Sequence, residues 1–297
     1  MARILVLGSA GQVGWELQRS LAVLGPLLVG DRGECDLGDA HALRRFVAEA
    51  NPDIIVNAGA YTAVDKAEQD VDAARRVNAE APAVLAEEAK RRNALLVHYS
   101  TDYVYDGTKE GAYLETDVPN PLSVYGSTKL QGDEAILKSG CQHLIFRTSW
   151  VFAARGGNFA KTMLRLAGER ESLNVIADQF GAPTSAELLA DVTALAIRDV
   201  RAGRAPGGLY HLTANGETSW HGYATFVIQE ALRLGLSLKV GPEAINPIAT
   251  EAYPLPAKRP ANSRLSLNKV QEIFGLALPP WQYHVRRMIE ELHGKAS

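Results

Sequence analysis

A doubly wound α/β fold, a parallel sheet with helices on both faces followed by a smaller C-terminal α/β substrate-binding portion, is predicted by three observations. Over residues 1–150 short apolar runs alternate with segments of helical periodicity. A glycine triplet follows the first of those runs. Beyond Trp150 the alternation loosens and prolines accumulate. Strands that alternate with helices of this length imply parallel pairing through crossovers. The change of rhythm puts a boundary after residue 150, between a first part, 1–150, to which some later segments return, and a second part, 151–297.

The elements follow in order. Residues 4–7 are β-branched and leucine-rich and end in Gly8, so they read as a buried strand. A helix is expected over 12–24, with Val13, Leu17, Leu21 and Leu24 on one side. A second strand covers 27–30, a polar-faced helix 39–49, and a third strand 53–57, set off by Asn51 and Pro52. One or two helices fill 65–93, broken before Asp72. A fourth strand covers 94–100, a helix 123–138 and a fifth strand 143–149. Later come a helix over 158–169, a strand over 173–176, a helix over 184–200, a strand over 208–212 and a helix over 220–234. Pro242, Pro247, Pro254, Pro256 and Pro260 then predict an extended wrapping loop. Helices over 266–274 and 281–292 close the chain.

Composition narrows the function. The 297 residues carry a formal charge of −3, with 46% apolar and 22% charged residues, and the pI is near 6.2. No strongly basic face is implied, which disfavours nucleic-acid binding. Two cysteines, Cys35 and Cys141, build neither a disulfide scaffold nor a Cys-rich metal site, and a reducing, cytoplasmic setting is the expectation. The first apolar run is too short for a signal peptide, and none reaches the length of a membrane span.

Gly8, Gly11 and Gly14 lie between the first strand and first helix, with Gln12 and Val13 opening the helix. Glycine there permits a sharp turn, close approach to a pyrophosphate and tight helix packing. The helix N-terminus offers N–H groups and a positive dipole end. Asp31 closes the second strand, where a carboxylate favours the free 2′-hydroxyl of NAD; its neighbour Arg32 would receive the 2′-phosphate of NADP. The two leave cofactor preference open. Asp36 and Leu37 are placed beside the adenine. After the third strand, Asn57-Ala-Gly-Ala-Tyr-Thr62 puts Ala60, Tyr61 and Thr62 against the cofactor or in a plain strand-to-helix turn.

Tyr125 and Lys129 stand four apart on the helix over 123–138, so their side chains face the same way. A nearby ammonium lowers a phenol's pKa, a route to acid–base work near neutral pH. Thr101 sits at the carboxyl end of the fourth strand, where ligands bind in such sheets. By themselves, tyrosine and lysine at this spacing are common.

Together these residues resemble the extended short-chain dehydrogenase/reductase superfamily, with its Rossmann-like fold. Gly11-Gln-Val-Gly-Trp-Glu-Leu17, His98-Tyr-Ser-Thr-Asp-Tyr-Val104, Phe146-Arg-Thr-Ser-Trp-Val151, Asp178-Gln-Phe-Gly-Ala-Pro-Thr184 and Arg259-Pro260 with Asn262-Ser-Arg264 are similar to the dTDP-4-dehydrorhamnose reductase family. The resemblance covers nearly the whole chain. It implies transfer of a hydride from NADPH, or NADH, to the C4 ketone of dTDP-4-dehydro-β-L-rhamnose. Tyr125 would supply the proton, Lys129 would lower the tyrosine pKa and bond the nicotinamide ribose, and Thr101 would orient the carbonyl. Asp102 and Trp150 would line the sugar pocket. Tyr99 lies along the cofactor or packs in the sheet. Arg259 and Asn262 would contact the nucleotide diphosphate. Glu16, Glu187 and Glu291 match glutamates that hold a structural Mg²⁺ at a homodimer interface in some relatives. Two alternatives stay open: another nucleotide-sugar reductase or epimerase, and a non-catalytic regulatory subunit that keeps the fold.

Overall fold

The computed structural model describes residues 1–294. Its centre is a six-stranded parallel sheet of β1 (Ile4–Leu7), β2 (Leu27–Gly30), β3 (Ile54–Asn57), β4 (Leu95–Thr101), β5 (His143–Thr148) and, after four short strands, β10 (Gly208–His211). The spatial order is β2-β1-β3-β4-β5-β10. The order reverses between β1 and β3, and the crevice outside their carboxyl ends is where such sheets receive ligands. Strand side chains alternate between two faces. Ile4, Val6, Ile54, Val56, Leu95, Val97, Leu144 and Phe146 belong to one buried cluster, whereas Leu5, Leu7, Ile55, Leu96 and Ile145 belong to another. Both faces are therefore covered, which explains why these strands read as unbroken apolar runs.

Helices α1 (Gln12–Leu21), α2 (Ala40–Ala50), α3 (Val64–Ala67), α4 (Val71–Arg75), α5 (Ala81–Arg92) and α6 (Val124–Ser139) connect the first five strands. The expected helix over 12–24 stops at Leu21, because Gly25 and Pro26 force the chain to turn into β2. The segment over 65–93 breaks before Val71, one residue earlier than expected, and then runs on through a π-helical turn, Arg76–Glu80, into α5. Pro82, at the start of α5, has no N–H to give the preceding turn. Within that turn Asn78 accepts from the Tyr61 N–H at 2.8 Å and donates to the Tyr61 carbonyl at 3.1 Å. The irregularity thus fixes the loop after β3.

Beyond β5 lie β6 (Val151–Phe152), α7 (Phe159–Glu169), β7 (Leu173–Ile176), β8 (Phe180–Gly181), β9 (Thr184–Ser185), α8 (Ala186–Arg201), then β10, β11 (Thr218–Ser219), α9 (Trp220–Arg233), β12 (Ile245–Ile248), α10 (Asn268–Phe274) and α11 (Trp281–Gly294). Ser185 caps α8 by accepting from the Leu188 N–H at 3.1 Å, so Thr184 belongs to the strand before the helix. The proline-rich interval is not an extended loop throughout. Ile245–Ile248 pairs in parallel with β7, with Pro247 opposite Val175. A two-stranded sheet is all edge, where the missing N–H of proline is tolerated. No described helix is long and apolar enough to cross a membrane.

Candidate active site

The glycine loop is shaped by contacts that exclude side chains. Gly8 has φ +74°, and a Cβ there would lie 2.6 Å from the Gly59 nitrogen. A Cβ on Gly14 would lie 2.1 Å from the Gly8 carbonyl oxygen, which is why α1 can abut the turn. Gly11 precedes α1 and provides no side-chain cap, so the first N–H groups of the helix face the crevice. Gly14→Ala is expected to displace the loop and weaken dinucleotide affinity at least tenfold, about 1.4 kcal/mol, as read by NADPH fluorescence titration.

A cavity of about 710 Å³ runs from this loop along the carboxyl ends of the strands. Gly8, Gly11, Gln12, Val13, Asp31, Arg32, Ala60 and Thr62 line one end; Tyr99, Thr101, Asp102, Tyr125, Lys129 and Trp150 line the rest. An adjoining hollow of about 170 Å³ is bounded by Asp31, Arg32, Asp36, Leu37 and Tyr61. Apart from Gly14, which packs behind the turn, every residue expected along the cofactor borders one of these spaces. The Asp31 carboxylate accepts from the Gly33 N–H at 2.7 Å, and that bond holds its pKa below the usual carboxylate range. An ionised Asp31 therefore shares the adenosine end with Arg32.

Ser123 caps α6 by accepting from the Gly126 N–H at 3.2 Å, which starts the helix one turn before Lys129. Tyr125 is half-buried at the cavity wall. Burial pushes its phenol up to about 12, a hydrogen bond with Thr101 opposes this, and the charges of Asp102 and Asp133 reinforce it. The expectation that Lys129 lowers this pKa is not met. The Lys129 Nζ is turned away, donating to the Tyr99 carbonyl at 2.6 Å and lying 3.0 Å from His98 Nε2. Tyr125 is consequently a phenol, poised as a proton donor across neutral pH. The Tyr99 hydroxyl is tied to Thr193 Oγ1 at 2.6 Å; the residue packs in the sheet while its ring reaches the cavity.

At the other end Trp150 has φ +49°, a left-handed conformation that costs a bulky residue energy. Its indole stacks on Trp220, with centroids 3.6 Å apart and planes at 13°. Trp220 donates through Nε1 to Gln179 Oε1 at 3.2 Å, and Gln179 donates to Thr250 at 3.1 Å. Asp102 is 2% exposed, and its Oδ2 has no partner. Burial raises its pKa to about 7, against opposing bonds from Ser263 and Thr101. A carboxyl whose folded pKa lies above its unfolded value of about 3.9 stabilises the fold at low pH, and that contribution is lost as pH rises through about 7. Asp102→Asn should therefore gain stability relative to the parent above pH 7 and not below pH 4, as read by urea denaturation at both ends.

Arg259 and Asn262 lie behind the lining, with Arg259 bonded to Tyr103, which borders the cavity. Neither borders the cavity. The Arg259 guanidinium is paired with both oxygens of Asp65, at 2.7 and 3.1 Å. The Asn262 amide donates to the Lys109 and Gly111 carbonyls, each at 2.7 Å, while its oxygen accepts from Arg264. These bonds tie residues 257–264 to Asp65 and to the loop at 109–111.

Glu16, Glu187 and Glu291 do converge, around a separate hollow of about 280 Å³ that also includes His284 and Arg287. The pKa of Glu16 is raised by burial and then by Glu187, with Glu291 adding to it. However, Arg287 pairs with Glu187 at 3.2 Å, and no cluster among the described residues is arranged to hold a metal ion. The carboxylates of one chain do not by themselves fit a divalent cation.

Sequence reasoning missed Trp220, His98 as a neighbour of Lys129, and Gln179 as an anchor. Trp220 carried a signal, since an aromatic residue directly after a Ser cap opens a helix whose start can face a pocket. His98 carried none beyond its place opposite Asn57 across β3 and β4.

Comparison with known proteins agrees with this geometry. A family model described as the RmlD substrate binding domain matches residues 2–293. A dTDP-4-dehydrorhamnose reductase of Burkholderia thailandensis is 52% identical over 294 residues, covering 98% of this chain and 99% of that protein. One from Escherichia coli K12 is 51% identical over 293 residues, 97% of each. Among solved structures, a dTDP-4-dehydrorhamnose reductase of Bacillus anthracis in complex with NADP has a TM-score of 0.88 at 32% identity, covering 98% of this chain and 99% of that one. One from Clostridium acetobutylicum has a TM-score of 0.89 at 33% identity, with the same coverage. With a glycine loop, a Tyr–Lys helix and a threonine at the end of β4 around one cavity, the chain belongs to the dTDP-4-dehydrorhamnose reductase family of the extended short-chain dehydrogenase/reductases.

Proposed function

We propose that this protein reduces the C4 ketone of dTDP-4-dehydro-β-L-rhamnose to dTDP-β-L-rhamnose with NADPH or NADH. The observation that carries the reading is that Thr101, Tyr125 and Lys129 share one cavity wall with the glycine loop at one end and Trp150 at the other. When bound, the nicotinamide supplies the hydride. Thr101 and Tyr125 fix the carbonyl oxygen between two hydroxyls. Tyr125 gives its phenolic proton to that oxygen as the alcohol forms, and the phenolate left behind is reprotonated from solvent before the next turnover. Lys129 holds the ribose side of the site. The Trp150–Trp220 stack offers an apolar face to the deoxysugar, and Asp102 meets a sugar hydroxyl.

Residues 1–150 form the dinucleotide half of this reading and 151–297 mainly the sugar-nucleotide half. Buried free thiols at Cys35 and Cys141 suit a reducing cytoplasm. A homodimer is the assembly we expect, and a structural Mg²⁺ would require Arg287 to release Glu187. The test is a panel of nucleotide-4-keto sugars offered with NADPH and NADH. Cofactor oxidation that depends on the dTDP-4-keto sugar supports the reading; tight binding of a protein partner without turnover would replace it with the regulatory one.

A further inference from the structure

Lys129 is only 1% exposed, and among the described residues no carboxylate lies within ion-pair distance of its Nζ. The charges around it are accounted for. On its own helix, Tyr125 is a phenol, and Asp133 is spent on the Arg147 Nε of β5 at 3.0 Å and on Ser100 Oγ at 2.8 Å. On β4, His98 lies against it, and the Tyr99 carbonyl accepts from it. Asp102 lies beyond Tyr125. The proton on His98 can be assigned by following donors and acceptors outward from a fixed point.

That point is the Gly59 N–H, which can only donate. It meets Asn57 Oδ1 at 3.2 Å. The amide is therefore oriented with its Nδ2 toward His98 Nδ1, 3.1 Å away. An amide NH₂ only donates, so Nδ1 accepts. A neutral imidazole that accepts at Nδ1 carries its hydrogen on Nε2. His98 is neutral, since burial holds its pKa well below the ordinary value. The Nε2–H consequently points at Lys129 Nζ, 3.0 Å away. An ammonium has no lone pair to accept it; an amine does, and still donates to the Tyr99 carbonyl.

We propose that Asn57 and His98 act as positioning residues that hold Lys129 as a neutral amine. Protonating Lys129 then requires a linked change: a proton from solvent joins Nζ, His98 exchanges its Nε2 hydrogen for one on Nδ1, and the Asn57 amide turns over. The turnover also strips the Gly59 N–H of its acceptor. Gly59 lines the dinucleotide cavity, so the charge on Lys129 is coupled to the conformation of the loop that receives the cofactor. Burial acts in the same direction, lowering the Lys129 pKa to about 8 against the nearby Asp133; that alone still leaves the ammonium in excess at pH 7, and the facing Nε2–H is what tips the balance to the amine.

The inference deepens the reductase reading in making Lys129 a reporter of cofactor binding, but its test needs no turnover. The full cofactor-free chain, labelled with ¹⁵N at histidine and lysine, is examined by NMR at neutral pH. The expected result is His98 as the Nε2–H tautomer and Lys129 as an amine. An Nδ1–H tautomer or a lysine ammonium overturns the proposal. His98→Gln, whose amide oxygen can face Nζ, should raise the Lys129 titration midpoint by about one unit, a tenfold change in proton affinity. Asn57→Leu, which removes the donor that fixes the tautomer, should shift it in the same direction. An unchanged midpoint in whichever of these folds counts against the proposal.

Discussion

Tyr125→Phe lowers kcat by roughly 10²–10⁴, the usual worth of a positioned general acid, while leaving NADPH affinity within about twofold of the parent. The phenol bonds Thr101 at the cavity wall, and the ring without its hydroxyl keeps the edge-to-face packing on Tyr103, with centroids 5.7 Å apart. A pH consequence follows from the same residue. Because burial pushes its pKa up to about 12, the acid form needed for reduction is present throughout the neutral range. Reduction should therefore show no alkaline loss from Tyr125 near pH 8, whereas oxidation of the alcohol, which needs the phenolate, should accelerate as pH rises. Steady-state kinetics in both directions with titration of NADPH binding check all four expectations.

Arg147→Met costs about 3–5 kcal/mol of stability, the range for removing one partner of a buried ion pair. Arg147 and Asp133 lie 3.0 Å apart with side chains 3% and 0% exposed, and Arg147 also donates to the Tyr105 hydroxyl at 2.8 Å. In the variant, Asp133 keeps the burial that already raises its pKa and loses the largest influence opposing it. Its folded pKa then stands further above the unfolded one, so the deficit is smallest at low pH and grows as pH rises. Urea denaturation of parent and variant at acidic and alkaline pH measures this. Replacing both partners, Asp133→Leu with Arg147→Met, should recover much of the loss, because no charge is then left unpaired.

What the sequence disclosed followed physical regularity. Buried parallel strands are apolar on both faces, so Ile4–Leu7 and Ile54–Asn57 were visible as runs. The Ser123 cap marked the start of α6 and fixed which residues share its face. The glycine loop announced itself because backbone contacts as close as those at Gly8 and Gly14 admit no other residue. Long-range pairing left little trace. Nothing local shows that Arg259 pairs with Asp65, 194 positions away. Pro247 looked like a strand breaker because its edge position depends on a distant partner, β7. The phenol pKa was misjudged for a related reason: helical spacing puts Lys129 on the face of Tyr125, but His98 and the Tyr99 carbonyl, contributed by β4, decide where its amine points.

The destination of the hydride tests the proposed reduction most directly. NADPH carrying deuterium at the transferred position, incubated with the protein and dTDP-4-dehydro-β-L-rhamnose, should deliver deuterium to C4 of dTDP-β-L-rhamnose, as read by NMR of the product, and Tyr125→Phe should suppress that transfer. Deuterium at another carbon, or conversion of the sugar nucleotide without label from the cofactor, would contradict it.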